Sequence, residues 1–200
     1  MPSFFLINLY MWTPVAIRLF NILVVFIASL IFSIPFLVIC LLIKLTSQGP
    51  IIHWSKRIGK NNAIFLMPKL RTMRINTPQV ATHLLDGKNY LTPIGSFLRK
   101  TSLDELPQLL SALIGDMNLV GPRPALFNQY DLMELRTKEN IHIIAPGVTG
   151  WAQINGRDEL SLEEKVKFDK EYLDQRSLLF DIKIIFLTAY KVIARTNISH

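Results

Sequence analysis

Between Arg18 and Lys44 the chain runs for 25 residues, Leu19 to Ile43, without a charge (LFNILVVFIASLIFSIPFLVICLLI). At about 1.5 Å per helical residue this is long enough to cross a hydrocarbon layer of about 30 Å. A cleaved signal peptide fits poorly: the apolar run is too long, no basic segment precedes Arg18, and no A-x-A site follows. Pro35 lies inside the run and removes a backbone donor, so the sequence predicts a helix broken there into pieces of 16 and eight residues. A kinked span and a hairpin that enters and leaves one leaflet both satisfy this pattern, because backbone freed in lipid must be re-satisfied by its neighbours. Positive residues at both ends favour two cytosolic ends and therefore a re-entrant element.

The charge is distributed as unevenly as the hydropathy. The net formal charge is +7, yet no acidic residue precedes Asp86, while Arg18, Lys44, Lys56, Arg57, Lys60, Lys69, Arg71 and Arg74 do. A basic stretch directly after an apolar segment marks the cytosolic side and attracts anionic headgroups, by about 1 kcal/mol per residue near the surface. Nucleic acid is disfavoured as a partner, since no aromatic-interleaved basic patch or binding motif accompanies the run. The single cysteine, Cys40, allows no intrachain disulfide and suits a reducing cytosol. The four histidines lack metal-ligand spacing, so zinc is not indicated.

Beyond residue 48 the patterning is mixed. "IIHW" and "AIFLM" read as short strands around a polar "SKRIGKNN" loop, and residues 75–93 read as a surface loop. A helix is expected over 103–114, stopped by Gly115, then a turn at Gly121-Pro122 and a helix over 125–140. Residues 145–157 read as loop, strand, loop, with Trp151 and Gln153 as core or strand positions. Ser161 with Glu164 forms a capping box at the start of a charged helix, and 180–195 is an apolar helix carrying Lys183, Lys191 and Arg195. The expected class is therefore α+β: a membrane-embedded anchor over 1–48 and a cytosol-facing domain over 49–200 built of helices and short strands.

Chemistry concentrates in "TSLDELPQLLSALIGDMNLVGPRP", residues 101–124. Ser102 with Glu105 has the spacing of a capping box, and acids in a first helical turn complement the dipole, so both Asp104 and Glu105 have an account without catalysis. The same geometry also suits phosphate chemistry. A carboxylate at a helix N-terminus stays ionised, the adjacent amides accept phosphate, and an ionised Asp can attack phosphorus. A second acid beside it can help hold a divalent cation. Arg99 and Lys100 lie just upstream, and Arg123 sits in a Gly- and Pro-bounded turn that can fix a guanidinium for bidentate phosphate binding.

"KLRTM", "RKTSLDELPQLLSALIGDMNLVGPRP", "PGVTGWAQINGR" and "FDKEYL" occur in one order along the chain, and in that order and spacing they resemble the bacterial sugar transferases that start surface glycan assembly, the small monotopic phosphoglycosyl transferases. The resemblance covers nearly the whole chain from about Leu19. It implies a two-step transfer of a sugar 1-phosphate from a UDP-sugar to a polyprenol phosphate such as undecaprenyl phosphate, in exopolysaccharide, O-antigen or glycoprotein glycan synthesis. Asp104 would be the nucleophile, UMP the leaving group, and Glu105 a support for Mg²⁺ or for the second step, with both acids as metal ligands. Arg99 would meet the lipid phosphate and Arg123 the nucleotide or phosphate. Lys69, Arg71, Arg157 and Asp169 match motif positions assigned to substrate binding, and each is equally what a buried structural pair would supply. The implied setting is the cytosolic face of the bacterial inner membrane, among its lipids and beside downstream glycosyltransferases. The family's membrane helix breaks at Ser-Pro, whereas here Ile34 precedes Pro35 and the serine is Ser33. Two rival readings stay open: a membrane-anchored module without catalysis, and a glycosyltransferase that releases UDP.

Overall fold

The computed structural model describes residues 4–75, 77, 90–156 and 159–194, apart from the side chains of 4–14 and 193. Helix α1 spans Phe4–Thr46, and the part over Val15–Thr46 is apolar and long enough to cross a membrane. It continues through Pro35, so the break expected there is not seen. The Ser33 hydroxyl donates to the Leu30 carbonyl at 2.8 Å, a back-bond that serves the polar group within the helix itself. Along α1 the large apolar side chains are mostly exposed, from Leu19 to Leu45, and a few are buried: Ile17, Val25, Ile39 and Ile43.

Strands β1 (Ile52–Ile58) and β2 (Ile64–Leu70) form an antiparallel hairpin, with His53 opposite Lys69 and Arg57 opposite Phe65. The "SKRI" stretch thus belongs to β1, and only Gly59 to Ala63 turn the chain. Period-two alternation gives β2 its purpose. Leu70 enters a cluster with Leu98 and with Ile39 and Ile43 of α1, while its neighbour Lys69 points to the opposite side. Helix α2 (Gly95–Lys100) follows, then a 3₁₀ turn over Leu103–Glu105 and helix α3 (Gln108–Ile114). The single helix expected over 103–114 is therefore two elements. Ser102 is left-handed (φ 55°) and makes no capping hydrogen bond, and Pro107 takes the position preceding α3. The capping box expected at Ser102 and Glu105 does not form, because a left-handed residue aims its hydroxyl away from the turn that it precedes. Gly115 ends α3 at φ 113°, as its sequence position predicts.

Strands β3 (Asn118–Val120) and β4 (Gly147–Thr149) pair in parallel. The backbones come so close that a Cβ on Gly147 would lie 2.1 Å from the Gly121 nitrogen, and one on Gly121 2.8 Å from the Ala145 carbonyl oxygen. Helix α4 covers Tyr130–Lys138, shorter than the expected 125–140, because 122–125 is spent in a pinned loop. Trp151–Ile154 is helix α5, where the sequence suggested strand or loop. Helix α6 (Leu162–Gln175) opens on the Ser161–Glu164 capping box, and α7 covers Leu178–Ala194. Val25 of α1 joins Ala112, Leu119, Val120, Ile154, Tyr172 and Ile184 in the main core, and a second core of Ile58, Ala125, Leu132, Ile141 and Val166 lies under α4 and α6. At the corner between α6 and α7 the Tyr172 hydroxyl donates to Asp181 at 2.8 Å, and burial pushes the Asp181 carboxyl up to about 6.

Candidate active site

Asp104 and Glu105 occupy the 3₁₀ turn, whose Glu105 N–H bonds the Ser102 carbonyl at 3.1 Å. Leu103 anchors that turn in the cluster formed by Ile39, Ile43, Leu70 and Leu98. The carboxylates are consequently presented at the point where α1, β2 and α2 meet. Asp104 is 7% exposed, and among the described residues its carboxylate makes no hydrogen bond. Burial pushes its pKa up, and the adjacent Glu105 charge pushes the same way, while Lys69, Arg99 and Arg123 pull it down. Burial outweighs the cations, and what favours the ionised state is those cationic side chains and not helix-terminal amides, as the sequence pattern had suggested.

Glu105 is the hub of that cationic ring. Its Oε1 accepts from Lys69 Nζ at 2.8 Å and from Arg123 Nη2 at 3.1 Å. Lys69 is driven below the usual lysine range by burial and by Arg123, against the opposing pull of Glu105 and Asp104. Arg99 donates from Nε to the Thr72 hydroxyl at 3.1 Å and lies close enough to Asp104 to feel its charge. The structure thus brings together five of the candidates: Lys69, Arg99, Asp104, Glu105 and Arg123.

Other candidates lie elsewhere. Arg71 reaches back to the end of α1, donating to the Ser47 carbonyl at 2.9 Å, to the Ser47 hydroxyl at 2.8 Å and to the Gln48 carbonyl. Asp169 is buried against Arg136, whose Nη2 and Nε both donate to its Oδ2, at 2.6 and 3.0 Å. Arg157 falls outside the described residues. Two residues went unnoticed in the sequence as site components. Arg57 projects from β1 toward Arg123 and Glu105, and burial followed by repulsion from Arg123 lowers its guanidinium to about 10. Its signal was available in the alternation His53, Ser55, Arg57 within a strand whose partner carries Lys69. Arg136, one turn from the end of an unremarkable polar helix, carried no such signal.

A cavity of about 270 Å³ opens beside Glu105 and Arg123, bounded by Ala28 and Phe32 of α1, Leu109 of α3, and Thr188 of α7. Among the described residues no group of three or more His, Cys, Asp or Glu is placed to hold a metal ion. Two neighbouring carboxylates are nonetheless a donor set that fits Mg²⁺, which is commonly bound by one or two carboxylates and completed by substrate phosphates and water.

Two adjacent acids, one of them buried, thus lie among Lys69, Arg99 and Arg123 near the end of a long apolar helix. The chain belongs to the bacterial sugar transferase family, whose profile matches residues 12–195. It is 42% identical over 161 residues to the UDP-glucose:undecaprenyl-phosphate glucose-1-phosphate transferase of Escherichia coli (strain K12), covering 76% of this chain and 35% of that protein. The exopolysaccharide production protein ExoY of Rhizobium meliloti (strain 1021) is 37% identical over 193 residues, with 86% of this chain and 82% of the relative covered. A UDP-N-acetylgalactosamine-undecaprenyl-phosphate N-acetylgalactosaminephosphotransferase of Aeromonas hydrophila is 37% identical over 175 residues, at 84% and 41% coverage. The chain thus spans about a third of the length of the Escherichia coli relative and most of the length of ExoY.

Proposed function

We propose that this chain transfers a sugar 1-phosphate from a UDP-sugar to a polyprenol phosphate, with Asp104 as the nucleophile. An Asp104 oxygen attacks the β-phosphorus, the bond from that phosphorus to the bridging oxygen breaks, and UMP leaves. A phosphate oxygen of the lipid then attacks the same phosphorus, the acyl phosphate bond breaks, and polyprenyl diphosphate sugar departs with Asp104 restored. The observation that carries this reading is the charge balance among the described residues of the site, where Lys69, Arg57, Arg99 and Arg123 surround two carboxylates. Such a surplus in a partly desolvated cleft favours a multiply charged anion, and a diphosphate supplies it. Mg²⁺ held by Asp104 and Glu105 would add neutralisation of the phosphate oxygens. Glu105 accepts from both Lys69 and Arg123, and Arg99, which interacts with the Asp104 charge, would meet the lipid phosphate. The names of the relatives support both the UDP-sugar and undecaprenyl phosphate.

The anchor's position supports a one-sided membrane seat. Fourteen residues after its start α1 donates from Arg18 to the Ala112 and Leu113 carbonyls at the end of α3, and near its finish Ile43 is buried with Leu70 and Leu98. These points are separated by 25 residues, about 38 Å of helix, and both touch the same body. A span with its two ends on opposite faces of the bilayer would carry one of them away from that body. We therefore read the apolar run between Arg18 and Lys44 as monotopic, with both of these flanks on the cytosolic side of the inner membrane. Phe97, Ile114, Leu179 and Phe186 are exposed apolar side chains that an interfacial seat would cover. There the product would be passed on to downstream glycosyltransferases.

The decisive test is Asp104→Asn, assayed with a panel of UDP-sugars, polyprenol phosphate and Mg²⁺. UMP release should fall by about a thousandfold or more, as expected when a covalent nucleophile is lost. The melting temperature should hold or rise, because the folded-state carboxyl titrates above its unfolded value and so opposes folding at neutral pH. Retained turnover would reject the nucleophile assignment, and release of UDP in place of UMP would identify a glycosyltransferase.

A further inference from the structure

The loop that carries Arg123 is held in an unusual way. Each of its four successive carbonyls is taken by a donor from elsewhere in the chain: Pro122 by the Gly147 N–H at 2.9 Å, Arg123 by Arg136 Nη1 at 2.9 Å, Pro124 by Arg57 Nη1 at 3.2 Å, and Ala125 by the Ile58 N–H at 3.0 Å. Pro122 and Pro124 also fix their own φ, so the loop backbone has little freedom left. Two of the four donors are backbone amides and come with the strands. The side chains that supply the other two are Arg57, which faces the site, and Arg136, whose ion pair with Asp169 is buried away from it.

Arg136 is the more informative of the two. Its guanidinium divides three donors between two acceptors: Nε and Nη2 go to Asp169 Oδ2, and Nη1 goes to the Arg123 carbonyl. Asp169 is 1% exposed on α6, and burial raises its pKa against the pull of Arg136. A counter-ion for Asp169 alone would need only the first two bonds. The planar fork lets one cation neutralise a buried carboxylate and at the same time clamp a backbone oxygen at a fixed angle. From the geometry we infer that Arg136, held by Asp169, is a positioning residue that sets the Arg123 backbone and thereby aims its guanidinium at Glu105 and the donor diphosphate. The inference rests on the proposed function in one respect, that Arg123 meets the diphosphate. It also gives the aspartate of "FDKEYL" a place in the site's architecture without contact with substrate.

The full chain, reconstituted in lipid nanodiscs, should be titrated with UDP by calorimetry and assayed for UMP release, as wild type, R136K, R136A, R123A and R123A/R136K. Lysine can still neutralise Asp169 but lacks the fork, so R136K should melt close to wild type yet bind UDP about tenfold more weakly, with the loss in KM exceeding that in kcat, as expected for a displaced binding group. In the R123A background the same R136K change should alter UDP binding by less than about twofold, because residues acting through one another do not add. If R136A does not fold, R136K carries the measurement. The inference is overturned if R136K binds UDP as wild type does, if its loss follows the loss of folded protein, or if the loss is equally large without Arg123. A wild-type chain that binds no UDP would overturn the proposed function and this inference together, whereas normal wild-type binding with an unaffected R136K overturns the inference alone.

Discussion

Asp104 and Glu105 are neighbours in sequence with different surroundings. Glu105 is bonded to Lys69 and Arg123, whereas Asp104 feels the same cations only at a distance and is desolvated. This division suits a nucleophile beside a structural acid, because a carboxylate locked in two ion pairs is a poor attacker. It also makes a pH prediction. Lys69 pulls the Asp104 pKa down, so Lys69→Met should push it further up. Activity that needs ionised Asp104 is lost as pH falls through the folded-state pKa, so the acid limb of kcat/KM should move to higher pH. A full pH–rate profile of the variant checks this, and an unmoved acid limb would mean that another group sets it. At this scale the sequence was informative about types and poor about partners. The Asp-Glu pair, Arg99 and Arg123 could be picked out from "RKTSLDE" and "GPRP"; the strand alternation that marks Arg57 went unread, and Arg136 carried no signal, since a lone arginine in a polar helix is indistinguishable from a surface charge.

At the scale of elements, the stretch from α2 to α3 differs most from its sequence pattern. The S-x-x-E spacing and apolar periodicity suggest one capped helix, yet Ser102 turns left-handed and Pro107 separates a 3₁₀ turn from α3. Local propensity loses here to tertiary packing: Leu103 must enter the cluster with Leu70 and Leu98, and a continuous helix would rotate Asp104 away from Lys69. Left-handed backbone costs a non-glycine residue roughly 1 kcal/mol. Ser102→Gly should therefore stabilise the protein by about 0.5–1 kcal/mol, read as a higher thermal midpoint, whereas a true cap would lose stability on that change or gain nothing. The glycines of "VGPRP" and "PGVTG" show the opposite case. Their need for small residues follows from backbone contact between β3 and β4, which sequence suggests through glycine itself but does not pair.

For the whole molecule, the anchor and the catalytic body share cores. Val25 of α1 lies in the main cluster, and Ile39 and Ile43 lie in the one that seats Leu103 beside Asp104. Arg18 and Asn21 add polar contacts to α3 and to Asn118, and Arg71 fastens the far end through Ser47. A chain lacking residues 1–48 would expose all of these surfaces and remove several fully buried side chains, each contributing on the order of 1.5–3 kcal/mol. That exceeds what a marginally stable domain can lose. Residues 49–200 expressed alone should be aggregated or molten, with weak near-ultraviolet circular dichroism and no UMP release; a soluble, cooperatively melting fragment would show that the helix is only a tether.

The sequence by itself determined that this chain carries an apolar run long enough to cross a membrane, that basic charge follows that run, and that one short segment concentrates acids and arginines. Those properties are local: an uncharged run of 25 residues, a block of lysines and arginines, and a motif all act through the composition of contiguous residues. Tertiary structure alone decided which cations face which carboxylate, that side chains from β2, α2 and the Gly-Pro-Arg-Pro loop oppose the burial that raises the Asp104 pKa, and that α1 passes through Pro35 as one helix touching the body at Arg18 and at Ile43. Lys69 lies 36 residues from Glu105 and Arg136 33 from Asp169, and a coulombic interaction depends on distance in space, which no spacing along the sequence specifies.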